Sequence, residues 1–176
     1  MARKTEIIIG LAGKKRSGKT TAANHLLKLA SKQGLQPIRI GFADSIKAEV
    51  AKIFGPCTDE NKATIRPVYQ AVGEAMKALH GEHVWVKRLQ ESWNHYRNHG
   101  FNVLIVDDVR FPYEVDIIKG MGGQVWRIAR PETDNHGDNH VSESSVDSIV
   151  ADHVYTNEKK VDELLDWVET MWHKHD

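Results

Sequence analysis

The sequence predicts a single α/β domain over residues 1–176, built on a mostly parallel five-stranded sheet with helices on both faces. Three observations predict this fold class. Short apolar runs of strand length alternate with segments whose apolar residues recur at helical spacing, the pattern of a parallel sheet with crossover helices. At 176 residues and 40% hydrophobic content, the chain is long enough to bury one core. A glycine-rich loop directly follows the first apolar run.

Each predicted strand is an apolar run bounded by polar, glycine or proline residues. In order, the strands cover residues 7–11, 37–43, 102–106, 123–129 and 153–155. The helices place apolar side chains on one face, and they cover about 21–34, 45–54, 66–80, 83–99, 113–121 and 161–172. Because two of these helices follow each other without a strand, residues 44–100 are predicted to contain a helical insertion. The polar stretch at 130–146 predicts a long loop.

The glycine-rich loop carries a complete Walker A sequence, Gly-Lys-Lys-Arg-Ser-Gly-Lys-Thr, from Gly13 to Thr20. Glycines let successive backbone N–H groups point inward, and the following helix offers its positive end to phosphate. Lys19 is predicted to reach terminal phosphates and the Thr20 hydroxyl to bind Mg²⁺. The residues predicted to bind a nucleoside triphosphate are Gly13, Lys14, Lys15, Arg16, Ser17, Gly18, Lys19, Thr20 and Thr21. The alternative is a glycine-containing turn with a solvated basic cluster.

Composition argues against several other classes of protein. Equal numbers of basic and acidic residues, 24 each, leave no basic field that would predict a nucleic-acid or membrane-surface partner. One cysteine, Cys57, excludes an internal disulfide and a cysteine-based metal cage, and this is typical of a reducing cytoplasm. The sequence shows no signal-peptide pattern and no apolar run of the ~20 residues that a membrane span needs. We expect a soluble cytoplasmic protein, and leave open whether it forms a homodimer.

Acidic residues follow the predicted strands at the edge where parallel sheets bind their ligands. The second strand leads to Asp44, and the third leads to Asp107 and Asp108. A buried strand that ends in acid is typical of a carboxylate that reaches Mg²⁺, and Asp108 is predicted for this role, with turn capping as the alternative for both acids. Asp44 is predicted either to cap the next helix or, with Lys47, to bind an acceptor.

Arginines near the strand ends match the geometry of phosphate oxygens. Arg110 is predicted to pair with a transferring or acceptor phosphate, and the alternative is a surface ion pair with Glu114. Arg127 and Arg130 precede the polar loop, which we predict to be a mobile lid that brings a cation to the γ-phosphoryl group. The loop also suggests a metal site, because aspartate and histidine alternate at Asp134, His136, Asp138 and His140. It lacks rigid anchors for tetrahedral geometry, which argues against such a site.

The first helix of the predicted insertion carries polar side chains at helical spacing. They are Arg66, Gln70, Glu74 and Lys77. One face of this helix is therefore predicted to present a cation and an amide to an acceptor nucleotide. An ordinary solvated face is the alternative.

Beside the Walker A loop stand further segments in a fixed order, which are Phe42-Ala43-Asp44-Ser45-Ile46-Lys47, Arg66 to Gln70 with Gly73-Glu74 and Trp85, Asp108-Val109-Arg110-Phe111-Pro112-Tyr113-Glu114, Arg130-Pro131, His140-Val141-Ser142-Glu143 and Asn157. Over nearly the whole chain, their order and spacing resemble the bacteriophage deoxynucleoside monophosphate kinases. The resemblance implies a P-loop kinase fold with sheet order 2-3-1-4-5, ATP and Mg²⁺ on the donor side, and a deoxynucleoside monophosphate as acceptor of the γ-phosphoryl group. The chain departs from the family at Lys77, where the family often has arginine.

Carried over by position, the resemblance implies an acceptor site that is lined by Asp44, Lys47, Arg66, Gln70, Trp85, Arg110 and Glu114. It implies a lid formed or supported by Arg130, His140, Ser142 and Glu143, and it places Asn157 near the adenine of ATP. The residues predicted to take part in catalysis are Lys19, Asp108, Arg110 and Arg130. Two alternatives remain at this point: a P-loop kinase of another phosphorylated small molecule, phosphomevalonate-like or dephospho-coenzyme A-like, and an ATPase switch that acts on a macromolecular partner.

Overall fold

The computed structural model describes residues 6–58, 60–131, 145–158 and 160–174. Within these ranges the strands are β1 (Ile7–Ala12), β2 (Pro37–Arg39), β3 (Val103–Val109), β4 (Gln124–Ala129) and β5 (His153–Thr156). The α-helices are α1 (Lys19–Lys32), α2 (Asp44–Phe54), α3 (Lys62–His80), α4 (Val84–Asn98), α5 (Pro112–Gly120) and α6 (Val161–His173). A 3₁₀ turn covers Val146–Ser148.

The strands form one parallel sheet in the order β2-β3-β1-β4-β5. This confirms the predicted fold class and strand order. The central strand β1 pairs with β3 from Ile7 opposite Val103. Toward the carboxyl edge the register shifts, because Gly10 pairs with Val106 whereas Ala12 pairs with Val109. Strand β3 therefore carries one extra residue at positions 107 and 108, a bulge of the kind that redirects side chains beside functional sites.

One core lies between the sheet and the helices α1 and α6. Strand β1 directs Ile9 and Leu11 into this core, where they join Leu26 of α1 with Leu164 and Trp172 of α6. All five side chains are essentially excluded from solvent. Because alternate residues of a strand face opposite sides, the next residues of β1 are available for a second core.

The second core lies on the opposite face of the sheet, beneath α4 and α5. Ile8 of β1 and Leu104 of β3 join Trp93 of α4 and Ile118 of α5 in this core. Gly10 is needed for close packing here, because a Cβ at this position would lie 2.5 Å from the Ile118 Cδ1 atom. The predicted helical cover on both faces is thus present.

The insertion predicted at 44–100 corresponds to α2, α3 and α4. Helix α3 begins at residue 62, about four residues before its predicted start. The earlier start follows from a turn in which Thr58 and Asn61 exchange side-chain and backbone hydrogen bonds just before the helix. Pro67 lies inside α3, and the helix continues through it. Trp85 joins α4 to α3, since its indole N–H donates to the Gly73 carbonyl at 3.3 Å.

Two further boundaries differ from the predicted ones. Strand β2 ends at Arg39 instead of residue 43, because the backbone turns away from β3 into a loop before α2. Helix α1 begins at Lys19, directly out of the glycine-rich loop, rather than near Thr21. None of the described helices is long and apolar enough to cross a membrane.

Candidate active site

The phosphate-binding loop, residues 13–20, is hereafter called the P-loop. Two of its residues have a backbone conformation and surroundings that only glycine accommodates. Gly13 has φ 151° and Gly18 has φ 113°. A Cβ at Gly13 would collide with the Ile128 carbonyl oxygen, and one at Gly18 would lie 2.9 Å from Leu164 Cδ2. Arg16, at φ 65°, is the one non-glycine residue in the described chain with a positive φ. The Walker A glycines are therefore required by space as well as by backbone angle.

Lys19 folds over the P-loop. Its ammonium donates to the carbonyl oxygens of Gly13 and Lys14, each at 2.6 Å. The Ser17 hydroxyl is fully buried within the loop and has no hydrogen-bond partner among the described residues. A buried hydroxyl without a partner is costly unless a ligand supplies one. This orphaned hydroxyl, with the lysine ammonium beside it, fits a phosphate group held by the loop.

A cavity of about 270 Å³ opens on one side of the P-loop, and it is lined by Arg16, Ser17, Gly18, Lys19, Thr20, Thr21, Arg130, Asn157, Val161 and Leu164. Asn157 is buried and fixes the loop from the β5–α6 connection, since its side-chain amide donates to the Ser17 carbonyl at 2.8 Å. The structure thus places Asn157, Thr21 and Arg130 around one cavity, and their predicted roles in binding the nucleotide and forming the lid stay predictions. The apolar wall of Val161 and Leu164 was not predicted as part of the site, because helical periodicity assigned both residues to core packing.

The start of the predicted lid contacts the P-loop. Arg130, at the end of β4, donates from Nη1 to the Arg16 carbonyl at 3.1 Å. Asp147, in the 3₁₀ turn, bridges the two sides: its carboxylate lies 2.9 Å from the Lys14 ammonium and 3.0 Å from the Arg127 guanidinium. Sequence reasoning missed Asp147, because only the fold shows that the acid returns to the P-loop.

Several predicted lid residues lie outside the part of the chain that the structure describes. They are His140, Ser142 and Glu143. The same holds for Asp134, His136 and Asp138, so the suggested metal site in that loop stays untested. Within the described ranges, no group of three or more histidine, cysteine, aspartate and glutamate side chains is placed to hold a metal ion.

The β2–α2 loop, residues 40–43, lies across the sheet edge from the nucleotide cavity and leads into Asp44. One carboxylate oxygen of Asp44 accepts the Gly41 N–H at 2.7 Å, and the other lies 2.7 Å from the Lys47 ammonium. Burial alone would raise the pKa of Asp44, but the hydrogen bonds from Lys47 and the Gly41 amide outweigh it and the pKa lies below its ordinary value. Asp44 is therefore an anion that stabilises the loop and orients Lys47, and it does not cap the first turn of α2.

Asp107 and Asp108, at the β3 bulge, take different partners. Asp107 is buried and receives two hydrogen bonds from one nitrogen of the Arg39 guanidinium, both at 3.1 Å. Asp108 accepts the Phe42 N–H at 2.8 Å and the Ala43 N–H at 2.9 Å, one on each oxygen. Burial raises the pKa of Asp108, and the two amide hydrogen bonds offset this only in part. Asp108 thus binds the backbone just before α2 from a distant strand.

Glu114 stabilises the turn that carries Arg110. Its Oε2 atom accepts the Arg110 N–H at 2.7 Å and the Phe111 N–H at 3.1 Å, which closes the first turn of α5. The side chain is buried, and burial raises its pKa from 4.5 to about 8. Glu114 therefore binds the backbone at Arg110 and Phe111, and its buried position differs from the exposed one that the predicted surface ion pair implied.

The insertion contributes the remaining predicted acceptor residues. Arg66 is half-buried and Gln70 is exposed on α3, whereas Trp85 is buried and its N–H is directed to the Gly73 carbonyl. Lys77, the position that departs from the family, lies 5.3 Å from the centre of the Phe111 ring, a cation–π contact between α3 and the turn after β3. The acceptor roles of these residues stay predictions.

Solved structures share the overall fold of this chain, a parallel sheet with helices on both faces. The Mycobacterium tuberculosis APS kinase CysC in complex with AMPPNP and APS superposes with a TM-score of 0.55 at 11% identity, over 97% of this chain and 99% of that one. TT1252 from Thermus thermophilus gives 0.52 at 17% identity, over 97% of this chain and 98% of that one. At such low identity the likeness shows the fold.

Sequence comparison then identifies the particular family. Residues 38–168 match the family described as deoxynucleotide monophosphate kinase. A protein of Acanthamoeba polyphaga mimivirus assigned to these kinases is 30% identical over 186 residues, covering 90% of this chain and 92% of that relative. The deoxynucleotide monophosphate kinase of Enterobacteria phage T4 is 28% identical over 107 residues, which is 60% of this chain and 44% of the phage protein. The chain belongs to the deoxynucleotide monophosphate kinase family, which confirms the predicted resemblance and the predicted enzyme class, a nucleotide kinase.

Proposed function

We propose that the protein transfers the γ-phosphoryl group of ATP to the 5′-phosphate of a deoxynucleoside monophosphate, giving ADP and the deoxynucleoside diphosphate. Family membership carries this proposal. The site supports it, because the P-loop and the charged β2–α2 loop lie at the same carboxyl edge of the sheet, where two nucleotides can meet. The family match disfavours the two alternatives drawn from the sequence.

The reaction needs placement and charge neutralisation more than a strong base. An oxygen of the acceptor phosphate attacks the γ-phosphorus and forms the new P–O bond, while the bond to the β–γ bridging oxygen breaks and its electrons leave with ADP. The second pKa of a phosphate monoester is near ~6, so the attacking oxygen is largely ionised at neutral pH. Both reactants are anions that repel each other. The protein must therefore hold them in line and supply positive charge.

Cations from both sides of the site suit this role. On the donor side, the Lys19 ammonium would leave the Gly13 and Lys14 carbonyls for the terminal phosphates, and Arg130 would approach from the start of the lid. On the acceptor side, Lys47 and Arg110 would bind the acceptor phosphate. Closure of the lid at 130–146 would exclude water, which otherwise competes as the phosphoryl acceptor.

Mg²⁺ fits the oxygen-rich edge of this site. Thr20 stands exposed at the start of α1, and acids end the neighbouring strand β3, so hydroxyl and carboxylate oxygens suit a hard cation. When bound, the ion would neutralise charge on the phosphates. Thr20 would hold it together with a carboxylate at the end of β3.

The proposed partners are the two nucleotides, without direct binding of nucleic acid, because the formal net charge is +0. An ADP-release assay tests this function with dTMP, dGMP, dCMP, dAMP and the four ribonucleotides as acceptors. We expect ADP release that requires a deoxynucleoside monophosphate. Release without any acceptor, or only with phosphomevalonate or dephospho-coenzyme A, would contradict the proposal.

A further inference from the structure

We propose that Asp108 is a positioning residue for the acceptor, which it orders by holding the β2–α2 loop, and that it does not bind the metal. The inference rests on the proposed function. It distinguishes the roles of the two acids at the end of β3, Asp107 and Asp108. From the sequence, Asp108 was predicted to bind the metal.

Both oxygens of the Asp108 carboxylate are directed at the loop backbone. Its two oxygens accept the Phe42 and Ala43 N–H groups at 2.8 and 2.9 Å. Hydrogen bonds from amides to a carboxylate are charge-assisted and stronger than neutral ones. The Phe42 and Ala43 N–H groups, which lie just before the first turn of α2, are thus bound by a side chain of the protein.

Gly41 of the loop approaches the Asp108 carboxylate closely. A Cβ at this position would lie 2.6 Å from the Asp108 Oδ2 atom and 3.0 Å from its carboxyl carbon. Gly41 does not have a positive φ, so backbone conformation does not explain the glycine. The space that Asp108 occupies does explain it. The loop sequence is thus matched to a carboxylate 67 positions away in the chain.

The hydrogen bonds of the loop lead from Asp108 to Lys47, a predicted ligand of the acceptor. Gly41 donates its N–H to Asp44, and the other oxygen of Asp44 holds the Lys47 ammonium at 2.7 Å. Asp108 thus acts on Lys47 through the loop and Asp44. The bulge of β3 allows this arrangement, because it lets Asp107 turn to Arg39 while its neighbour turns to the loop.

Asp108→Asn is the direct test. Asparagine offers one carbonyl oxygen, and its NH₂ group would face a backbone N–H, so one of the two loop amides loses its acceptor. We expect the KM for the preferred deoxynucleoside monophosphate to rise about 10- to 100-fold, with the KM for ATP and the Mg²⁺ concentration at half-maximal velocity within about twofold of wild type. Calorimetry with that monophosphate in EDTA, without ATP, should show the same loss of affinity.

Two further variants keep the test decisive. In Gly41→Ala the added Cβ would displace the same carboxylate from the loop side, so this variant should also raise the acceptor KM. It replaces Asp108→Asn if that variant does not fold. Asp152→Asn is the matched control, because Asp152 also accepts a backbone N–H, that of Val125 at 2.8 Å, outside the β2–α2 loop. It should leave the acceptor KM unchanged.

The outcomes separate this inference from the proposed function. An Asp108→Asn enzyme with unchanged acceptor KM and a raised Mg²⁺ requirement would overturn the positioning role and restore the metal role. Wild-type protein that phosphorylates no deoxynucleoside monophosphate would contradict the proposed function instead, whatever the variants do.

Discussion

Glu114→Gln should remove a pH dependence of stability that the buried carboxyl imposes. Oε2 alone accepts both backbone N–H groups, those of Arg110 and Phe111. The amide oxygen of glutamine can therefore replace it with little change of shape. What the substitution removes is the titratable proton.

The magnitude follows from the pKa of Glu114, which burial raises from 4.5 to about 8. Between these values the folded protein keeps the proton while the unfolded chain has released it, so the carboxyl's contribution to stability falls as the pH rises. At about 1.4 kcal/mol per pH unit, the interval sets an upper bound of about 5 kcal/mol. Below pH 4.5 the contribution is at its maximum, and above about pH 8 the loss is complete.

Urea denaturation of both proteins at pH 5, 6, 7 and 8 measures this effect. The difference between the two free energies of unfolding cancels groups that titrate alike in both. We expect the wild type to lose stability relative to Glu114→Gln with each step in pH, by at most about 1.4 kcal/mol per unit. Parallel pH profiles would contradict a raised pKa of Glu114, because the carboxyl would then ionise in the folded protein at no cost in stability. A raised acceptor KM in the same variant would support its predicted place in the acceptor site.

Three further substitutions test the donor side. Lys19→Ala should lower kcat by at least about 10²- to 10³-fold, through loss of phosphate charge neutralisation, with an unchanged circular dichroism spectrum, and full activity would refute the role of the lysine. Asn157→Ala removes the hydrogen bond to the Ser17 carbonyl, so the KM for ATP should rise about tenfold while the acceptor KM stays constant. Equal changes in both KM values would contradict a donor-side role. Asp147→Asn weakens the ion pairs that a half-exposed carboxylate makes with Lys14 and Arg127. Urea denaturation should therefore show that the free energy of unfolding falls by less than about 1 kcal/mol. A larger decrease would mean that these ion pairs stabilise the fold strongly.

The sequence was sufficient to predict the fold because the signals are local. Short apolar runs predicted the strands, apolar faces with a helical period predicted the helices, and the alternation of the two predicted a parallel sheet with helices on both faces. The P-loop was predictable for the same reason, since Gly13 and Gly18 occupy fixed places in one short segment.

What sequence reasoning could not find depends on contacts between distant residues. Strand β2 ends early at Arg39, and the amides of the loop that follows bond to Asp108 of another strand. Asp44 looked like a helix cap because it precedes a helical pattern, whereas the carboxylate that binds the Ala43 N–H comes from β3. Asp147 carried no motif at all. Such pairings are properties of the folded chain, and no local pattern encodes them.

Transfer of radiolabel from [γ-³²P]ATP to an acceptor nucleotide measures the proposed reaction itself. With wild-type protein and a deoxynucleoside monophosphate, we expect the label to appear in the deoxynucleoside diphosphate, and Lys19→Ala to form this product at least about 10²- to 10³-fold more slowly. Label that appears only as inorganic phosphate, or at the same rate with and without the acceptor, would contradict the proposed reaction.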